Sequence, residues 1–158
     1  MKIIVIHLFS FIFILNGCAN NQRQNDVNHS PIMEEFEFEQ SVPFTIAENY
    51  FSNEDLNSFI TIVSQSEFDQ YIGMATTMGK HGQPTPIDFK KQWVIAVALP
   101  STDINTQLIP ISLKKDGKGK IIFTFKAVEG NKLSYKIKPF LAIIVDRKYL
   151  GEIQVIKI

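Results

Sequence analysis

The hydrophobic positions of residues 44–158 fall into short runs, and many of these runs alternate with polar positions in the period of two that is typical of half-buried strands. The run 93–99 is apolar without a break, which is typical of a central strand buried on both faces. The pattern predicts strands at residues 44–51, 59–63, 93–99, 107–114, 120–128, 132–137, 141–145 and 153–158.

One short helix is predicted between the second and third of these strands. Ser64 and Glu67 have the spacing of a capping box, in which the two side chains satisfy backbone N–H groups at the start of a helix. Gly73 stands where the helix is expected to stop. The apolar side chains that share one face of this helix are Phe68, Tyr71 and Ile72.

Two segments have the residues of tight hairpin turns, Asp-Gly-Lys-Gly at 116–119 and Glu-Gly-Asn at 129–131. Strands that follow one another through such turns pair in antiparallel fashion. Residues 44–158 are therefore expected to form a single, mainly β domain with a minor helical part. Its predicted architecture is an antiparallel β-sandwich or a partly open barrel with one short helix.

Two segments are predicted to be loops. Residues 73–86 hold three glycines, two prolines and two methionines without periodicity, which is typical of a long loop that either connects elements or binds a partner. Residues 103–107 follow the central strand and form the second predicted loop. The candidate residues for contact with a partner are Met74, Met78, Lys80, His81, Asp103 and Asn105.

The N-terminus has the pattern of a bacterial lipoprotein signal peptide. Lys2 precedes an apolar run at 3–15, and Gly17 precedes Cys18, the one cysteine of the chain. The run is shorter than the ~20 residues that a membrane-spanning helix needs. We expect residues 1–17 to be removed and Cys18 to be acylated, although a short uncleaved anchor stays an alternative. The mature protein would then be exported and lipid-anchored to the cell envelope, and Ala19 favours the outer membrane, on its periplasmic face or at the surface.

The residues after the cysteine are polar, and 18–43 are predicted to be a flexible tether that carries the lipid. Within this stretch, Glu-Phe-Glu-Phe-Glu at 35–39 alternates with a period of two. This segment is expected either to extend the edge of a sheet or to stay part of the tether. Acylation of the single cysteine would leave no thiol for a disulfide, for nucleophilic catalysis or for metal binding.

Charge is divided unevenly along a chain whose formal net charge is +0. Residues 19–69 are acidic, with Arg23 as their one basic residue, whereas 70–158 are basic. Alternation along 132–137 predicts outward side chains for Lys132, Ser134 and Lys136 and inward ones for Leu133, Tyr135 and Ile137. This lysine face is either a solvated surface or a contact for an anionic polymer such as an envelope glycan. An exported protein rarely meets nucleic acid, so no nucleic-acid partner is expected.

The sequence contains no recognised catalytic motif. His81 is the one histidine of 44–158, and no G-x-S-x-G turn accompanies it. His81 and Asp88 lack a third metal ligand at a recognised spacing, and the glycines of 73–80 do not have phosphate-loop spacing. Carboxylates for glycoside hydrolysis would have to come from Asp88, Asp103 and Asp146, which are better explained as turn or cap residues. We therefore expect a protein without catalytic activity, metal or cofactor.

Three segments carry a family resemblance. Val-Ser-Gln-Ser-Glu-Phe at 63–68, followed by Ile-Asp-Phe-Lys-Lys-Gln-Trp-Val-Ile-Ala-Val at 87–97, resembles the PrcB C-terminal family, and Lys-Pro-Phe at 138–140 is similar to it as well. The resemblance covers residues 60–158. The family is named after an accessory subunit of a bacterial surface protease complex, and the resemblance implies a non-catalytic envelope domain that binds another protein.

The chain departs from the family pattern after its central strand, where members often carry paired glycines and this chain has Thr-Asp-Ile-Asn-Thr-Gln-Leu at 102–108. The identity of a partner therefore does not transfer from the family. The expected function is that of a lipid-anchored protein-binding module, either assisting or inhibiting a protease. The alternative is a module that binds an envelope glycan or another anionic polymer.

Overall fold

The computed structural model describes residues 39–53, 56–75 and 82–158. It contains one α-helix, α1 (Gln65–Tyr71), and a short 3-10 helix (Arg147–Tyr149) in these residues. The strands of the described part are β1 (Gln40–Ser41), β2 (Phe44–Ile46), β3 (Tyr50–Ser52), β4 (Phe59–Ile62), β5 (Ile72–Met74), β6 (Gln92–Ala98), β7 (Thr102–Lys115), β8 (Ile121–Ile137), β9 (Phe140–Asp146) and β10 (Ile153–Lys157).

The strands form two four-stranded sheets, which are called sheet A and sheet B. Sheet A has the order β1-β7-β8-β10, and sheet B has the order β2-β9-β6-β4. A third, two-stranded sheet pairs β3 with β5. The described pairs are antiparallel except for β10, which runs parallel to β8. Neither four-stranded sheet closes on itself, so the expected mainly β fold is confirmed as a sandwich with one short helix.

The central strand β6 is buried on both faces because its alternate side chains enter two different hydrophobic clusters. Trp93, Ile95 and Val97 join the cluster between the two sheets, together with Phe123 and Ile143. Alternate positions of the same strand enter a second cluster with α1, whose members include Ile62, Phe68, Val94, Ala96 and Ile144. The unbroken apolar run of 93–99 follows from this double burial, and the prediction of a central strand is confirmed.

The predicted N-cap at Ser64 is confirmed, and Glu67 reaches back one residue further than in a standard capping box. Ser64 Oγ accepts a hydrogen bond from the backbone N–H of Glu67 at 3.3 Å, and the Glu67 carboxylate accepts one from the N–H of Val63 at 3.2 Å. Phe68 turns inward and is 2% exposed. The helix therefore begins where its own local sequence satisfies the free N–H groups.

The helix stops as predicted, with Tyr71 as its last residue and Ile72 as its C-cap, but Gly73 has no positive φ and lies with Ile72 in β5, opposite Phe51 of β3. A Cβ atom at Gly73 would overlap the ring of Phe51. The glycine is required by the aromatic ring that crosses over it. The predicted loop at 73–86 is therefore corrected at its start, where Gly73 and Met74 belong to a strand.

Strands β7 and β8 form one long hairpin, and the predicted turn at 129–131 is wrong. The turn at 116–119 is confirmed: the Asp116 carboxylate accepts from the N–H groups of Lys118 at 2.9 Å and Lys120 at 2.7 Å, and Gly119 has a φ of 91°. Gly130 lies inside β8, where a Cβ would stand 3.2 Å from the carbonyl oxygen of Asn105. That glycine permits a close approach of β7 at a register shift.

Two corrections concern the start of the domain. The predicted strand 44–51 is two strands, β2 and β3, because Asn49 adopts a left-handed conformation with a φ of 62° between them. Folded structure also begins before the expected end of the tether at residue 43. Strand β1 pairs with Lys114 and Lys115, and Val42 is 2% exposed within the core.

Candidate functional site

An open groove of about 740 Å³ lies where the β7–β8 hairpin faces the beginning of sheet B. One wall is formed by residues 46–48 and 50, and the other by 105–110 of β7 and 128–130 of β8. Residues 140–142 of β9 complete the lining. We call this feature the groove. It is bordered by both sheets of the sandwich, so its shape depends on how the two sheets are joined.

The first wall is fixed by hydrogen bonds with Thr85 and Gln83. The N–H of Glu48 donates to Oγ1 of Thr85 at 3.0 Å, and the N–H of Thr85 donates to the carbonyl of Glu48 at 3.2 Å. The side-chain amide of Asn49 donates to the carbonyl of Gln83 at 2.9 Å. These hydrogen bonds hold the backbone of Glu48 in place, and the Glu48 side chain is exposed.

Tyr50 supports the same wall from beneath. Its hydroxyl donates to the carbonyl of Thr85 at 2.8 Å, and its ring meets that of Phe68 edge to face at 5.2 Å between centroids. Burial disfavours the phenolate and raises the pKa of Tyr50 above the ordinary value of 10.0. Tyr50 therefore connects the groove to the cluster around α1.

This shift predicts a loss of stability at high pH. The phenol of the unfolded chain ionises near pH 10.0, whereas that of the folded chain keeps its proton to higher pH. The contribution of Tyr50 to the free energy of unfolding is therefore complete below pH 10.0 and declines above it. Tyr50→Phe should lower the free energy of unfolding by about 1 kcal/mol at neutral pH, since it loses one hydrogen bond. The deficit should narrow above pH 10.0 in denaturant titrations. Tyr135→Phe is the matched control, and a constant deficit would contradict the prediction.

Most of the second wall is provided by residues 105–110 of β7, which form an edge of sheet A among the described residues. Strand β8 pairs with β7 along nearly its full length on one side. On the other side, β1 is the one described strand, and it pairs with Lys114 and Lys115 alone. Pro110, which has no N–H to donate, lies in the part of β7 that β1 leaves uncovered. A proline within a strand is compatible with an edge position, as observed here.

The groove has two carboxylates with no side-chain partner among the described residues, Glu48 and Glu129. All other described Asp and Glu side chains form an ion pair or a hydrogen bond; these are Glu39, Glu67, Asp69, Asp88, Asp103, Asp116, Asp146 and Glu152. No lysine or arginine of the described ranges lines the groove. Its charge is therefore negative.

The candidate residues predicted from the sequence are only partly brought together. Asn105 lines the groove, but the predicted loop 103–107 is wrong, because these residues lie inside β7. Asp103 forms an ion pair with Lys132 at 3.2 Å. Met74 lies in β5 opposite Tyr50, with 61% of its surface exposed. The candidates that lie outside the described residues are Cys18, Met78, Lys80 and His81.

The lysine face of 132–137 differs from its prediction at one position. Tyr135 was expected to point inward, but it is 62% exposed. Between the pairs Thr102↔Ile137 and Ile104↔Lys132, β8 contains more residues than β7, so strict alternation is lost there. Lys132 and Lys136 are exposed as expected.

Three acidic or aromatic residues of the groove were not predicted from the sequence: Glu48, Tyr50 and Glu129. Their roles depend on contacts between segments distant in the chain, and no local pattern identifies them. Pro110 is the one lining residue with a local signal, because a proline within an apolar strand pattern indicates an edge strand.

No protein-family model, curated protein or solved structure matches this chain. The resemblance to the PrcB C-terminal family therefore stays a prediction. Within the described ranges, no group of three or more His, Cys, Asp or Glu residues is arranged to hold a metal ion. The same part of the chain contains no helix that is long and apolar enough to span a membrane.

Proposed function

We propose that this chain is a membrane-anchored lipoprotein of the bacterial envelope, and that its β-sandwich binds a protein partner without catalysing a reaction. The observation that carries the proposal is the groove beside the edge of β7 at 105–110, which no strand of the described residues covers. The lipobox pattern that ends at Cys18 supports the location. The resemblance to the PrcB C-terminal family favours a protease as the partner, which the domain would assist or inhibit.

The form of the groove favours a polypeptide over a small molecule. Its apolar lining includes Ile46 and Val128, which are 43% and 42% exposed. Small ligands bind in pockets that bury most of their surface, whereas an extended polypeptide uses a long, open surface and the backbone of a strand edge. The groove offers both an open surface and a strand edge, which are the features that suit a polypeptide.

The test is photo-crosslinking in intact cells of the native organism. A photoreactive amino acid at Val128 lies in the groove, and one at Gln154 on β10 is the matched control on the opposite edge of sheet A. We expect a discrete crosslinked protein from position 128 that is absent at 154. Identical patterns from the two positions, or no crosslinked protein from either, would contradict binding through the groove.

The anchor is tested separately by metabolic labelling with a fatty acid. The chain should incorporate label, and Cys18→Ala should abolish it and keep the protein out of the membrane fraction. An unlabelled product that retains Met1 would remove the localisation from the proposal and leave the binding surface unaffected.

A second candidate function is the binding of an envelope glycan, and the exposure of Tyr135 favours it. An exposed aromatic ring offers an apolar face to a sugar, and Lys132 and Lys136 on the same strand supply positive charge. Salt-sensitive retention on an anionic glycan column, lost in Lys132→Gln/Lys136→Gln and in Tyr135→Ala, would support it. Retention that these variants do not change would refute it.

A further inference from the structure

We propose that the occupant of the groove is an extended, basic polypeptide segment, which adds as a strand to the open edge of β7 and places a Lys or Arg side chain against Glu48 and Glu129. This inference rests on the proposed function, because it specifies the chemistry of the partner at the same site. Three observations carry it: the uncovered edge, the apolar lining and the unpaired carboxylates.

The uncovered edge supplies the backbone contacts. The N–H of Val42 donates to the carbonyl of Leu113 at 2.8 Å, and the chain then crosses through Pro43 to sheet B, where β2 pairs with β9. Because of this crossing, the segment of β7 that lines the groove at 105–110 has no described strand beside it on that edge. A strand of about six residues, roughly 20 Å long, matches this segment.

The apolar lining selects an extended segment with alternating side chains. Leu108 is buried in the core cluster between the sheets, and Ile46 and Val128 remain partly exposed on the groove. In an added strand, alternate side chains point to opposite faces, so one set faces this lining while the other faces solvent. Each side chain of the added strand that faces the groove would therefore contact a different part of the lining.

The unpaired carboxylates select the charge of the segment. Glu48 lies in the connection that follows β2 of sheet B, Glu129 lies in β8 of sheet A, and both line the groove, whereas the remaining described carboxylates are engaged elsewhere. A cationic side chain is attracted to this pair, and an anionic segment is repelled by it. A lysine or arginine in the bound strand is therefore the complementary group.

The probe is a fluorescent octapeptide of alternating valine and lysine with blocked ends, titrated into the full lipidated chain in a non-ionic detergent. A peptide with glutamate in place of each lysine is the control for charge. We expect the lysine peptide to bind and the glutamate peptide to fail. Equal binding of the two peptides would overturn the assignment of a basic occupant.

Two matched double variants locate the charge contact. Glu48→Gln/Glu129→Gln should weaken binding of the lysine peptide by about three- to tenfold, as expected for partly exposed ion pairs. Glu39→Gln/Glu152→Gln changes the net charge equally but away from the groove, and should leave the affinity unchanged. An equal loss in both variants would assign the effect to overall charge and overturn the site.

Strand addition is tested with peptides N-methylated at alternate residues. One alternate set of N–H groups faces β7 and the other faces away, so methylation of one set should abolish binding and methylation of the other should not. Equal tolerance of both would overturn strand addition.

Two further outcomes separate this inference from the proposed function. A crosslinked protein from Val128, combined with no preference for the lysine peptide, would leave the proposed function standing and refute the basic occupant. A crosslink from Val128 to a second copy of this chain, with a dimer in light scattering, would refute a basic foreign segment.

Discussion

Trp93→Ala should lower the free energy of unfolding by about 3–5 kcal/mol, a large part of the stability of a domain of this size. The side chain is 0% exposed and packs between the two sheets with Ile95, Phe123 and Ile143. Its indole N–H also donates to the carbonyl of Asp146 at 3.2 Å. The truncation therefore creates a cavity and removes the hydrogen bond at the same time.

The loss is measured from the midpoints of urea unfolding curves, with Trp93→Phe as the matched variant. Phenylalanine fills much of the same space but has no N–H, so this variant should lose about 1–3 kcal/mol. The order Ala, Phe, wild type is the essential result. A loss below about 1 kcal/mol for Trp93→Ala would show that the space between the sheets collapses around the missing ring.

Parts of the fold that depend on neighbouring residues could be predicted from the sequence. The helix α1 was predicted because Ser64 and Glu67 contact backbone groups within their own turn. Strand β6 was predicted because burial on both faces requires an unbroken apolar run. The turn at 116–119 was predicted because Asp116 and Gly119 satisfy it locally.

Other parts depend on which distant segment lies opposite. Glu-Gly-Asn at 129–131 has the residues of a hairpin turn, yet Gly130 is used for a close approach to Asn105 across the sheet. Gly73 likewise reads as a helix stop, although the Phe51 ring explains it. Glycine has two uses, positive φ and close packing, and the sequence does not distinguish them without the partner strand.

The candidate site was the least predictable feature because the groove is formed by both sheets. Glu48 lies beside β2 and Glu129 lies in β8, and their relation follows from the crossing of the chain between sheets at Pro43. A single sequence contains no register for such long-range pairs. The predicted contact residues came instead from loop composition, and of the described ones Asn105 lines the groove.

The stability of the groove and its binding chemistry reside in different residues. Thr85, Tyr50 and Asn49 fix the backbone of one wall by hydrogen bonds, whereas Glu48 and Glu129 present charge without a side-chain partner in the described part of the chain. Substitutions of Glu48 and Glu129 should change the affinity for the peptide with little effect on the free energy of unfolding. This separation allows binding and folding defects to be distinguished in the experiments above.

Arg147→Ala should lower the free energy of unfolding by about 2–3 kcal/mol, because its guanidinium serves two carbonyls at once. Nη1 donates to the carbonyl of Val63 at 3.3 Å and to that of Phe89. These bonds attach the segments before α1 and before β6 to the end of β9. Loss of the side chain leaves both carbonyls without this charged donor.

Lys148→Ala is the matched control for Arg147→Ala, because it removes a neighbouring cation whose side chain is 64% exposed and pairs with Asp146 at 3.7 Å. Its effect should stay within about 1 kcal/mol, as for other exposed ion pairs. Both variants should bind the lysine peptide normally where they are folded, since neither residue lines the groove. Equal destabilisation by the two substitutions, measured by urea unfolding, would show that charge near the 3-10 helix matters and that the bonds to Val63 and Phe89 do not.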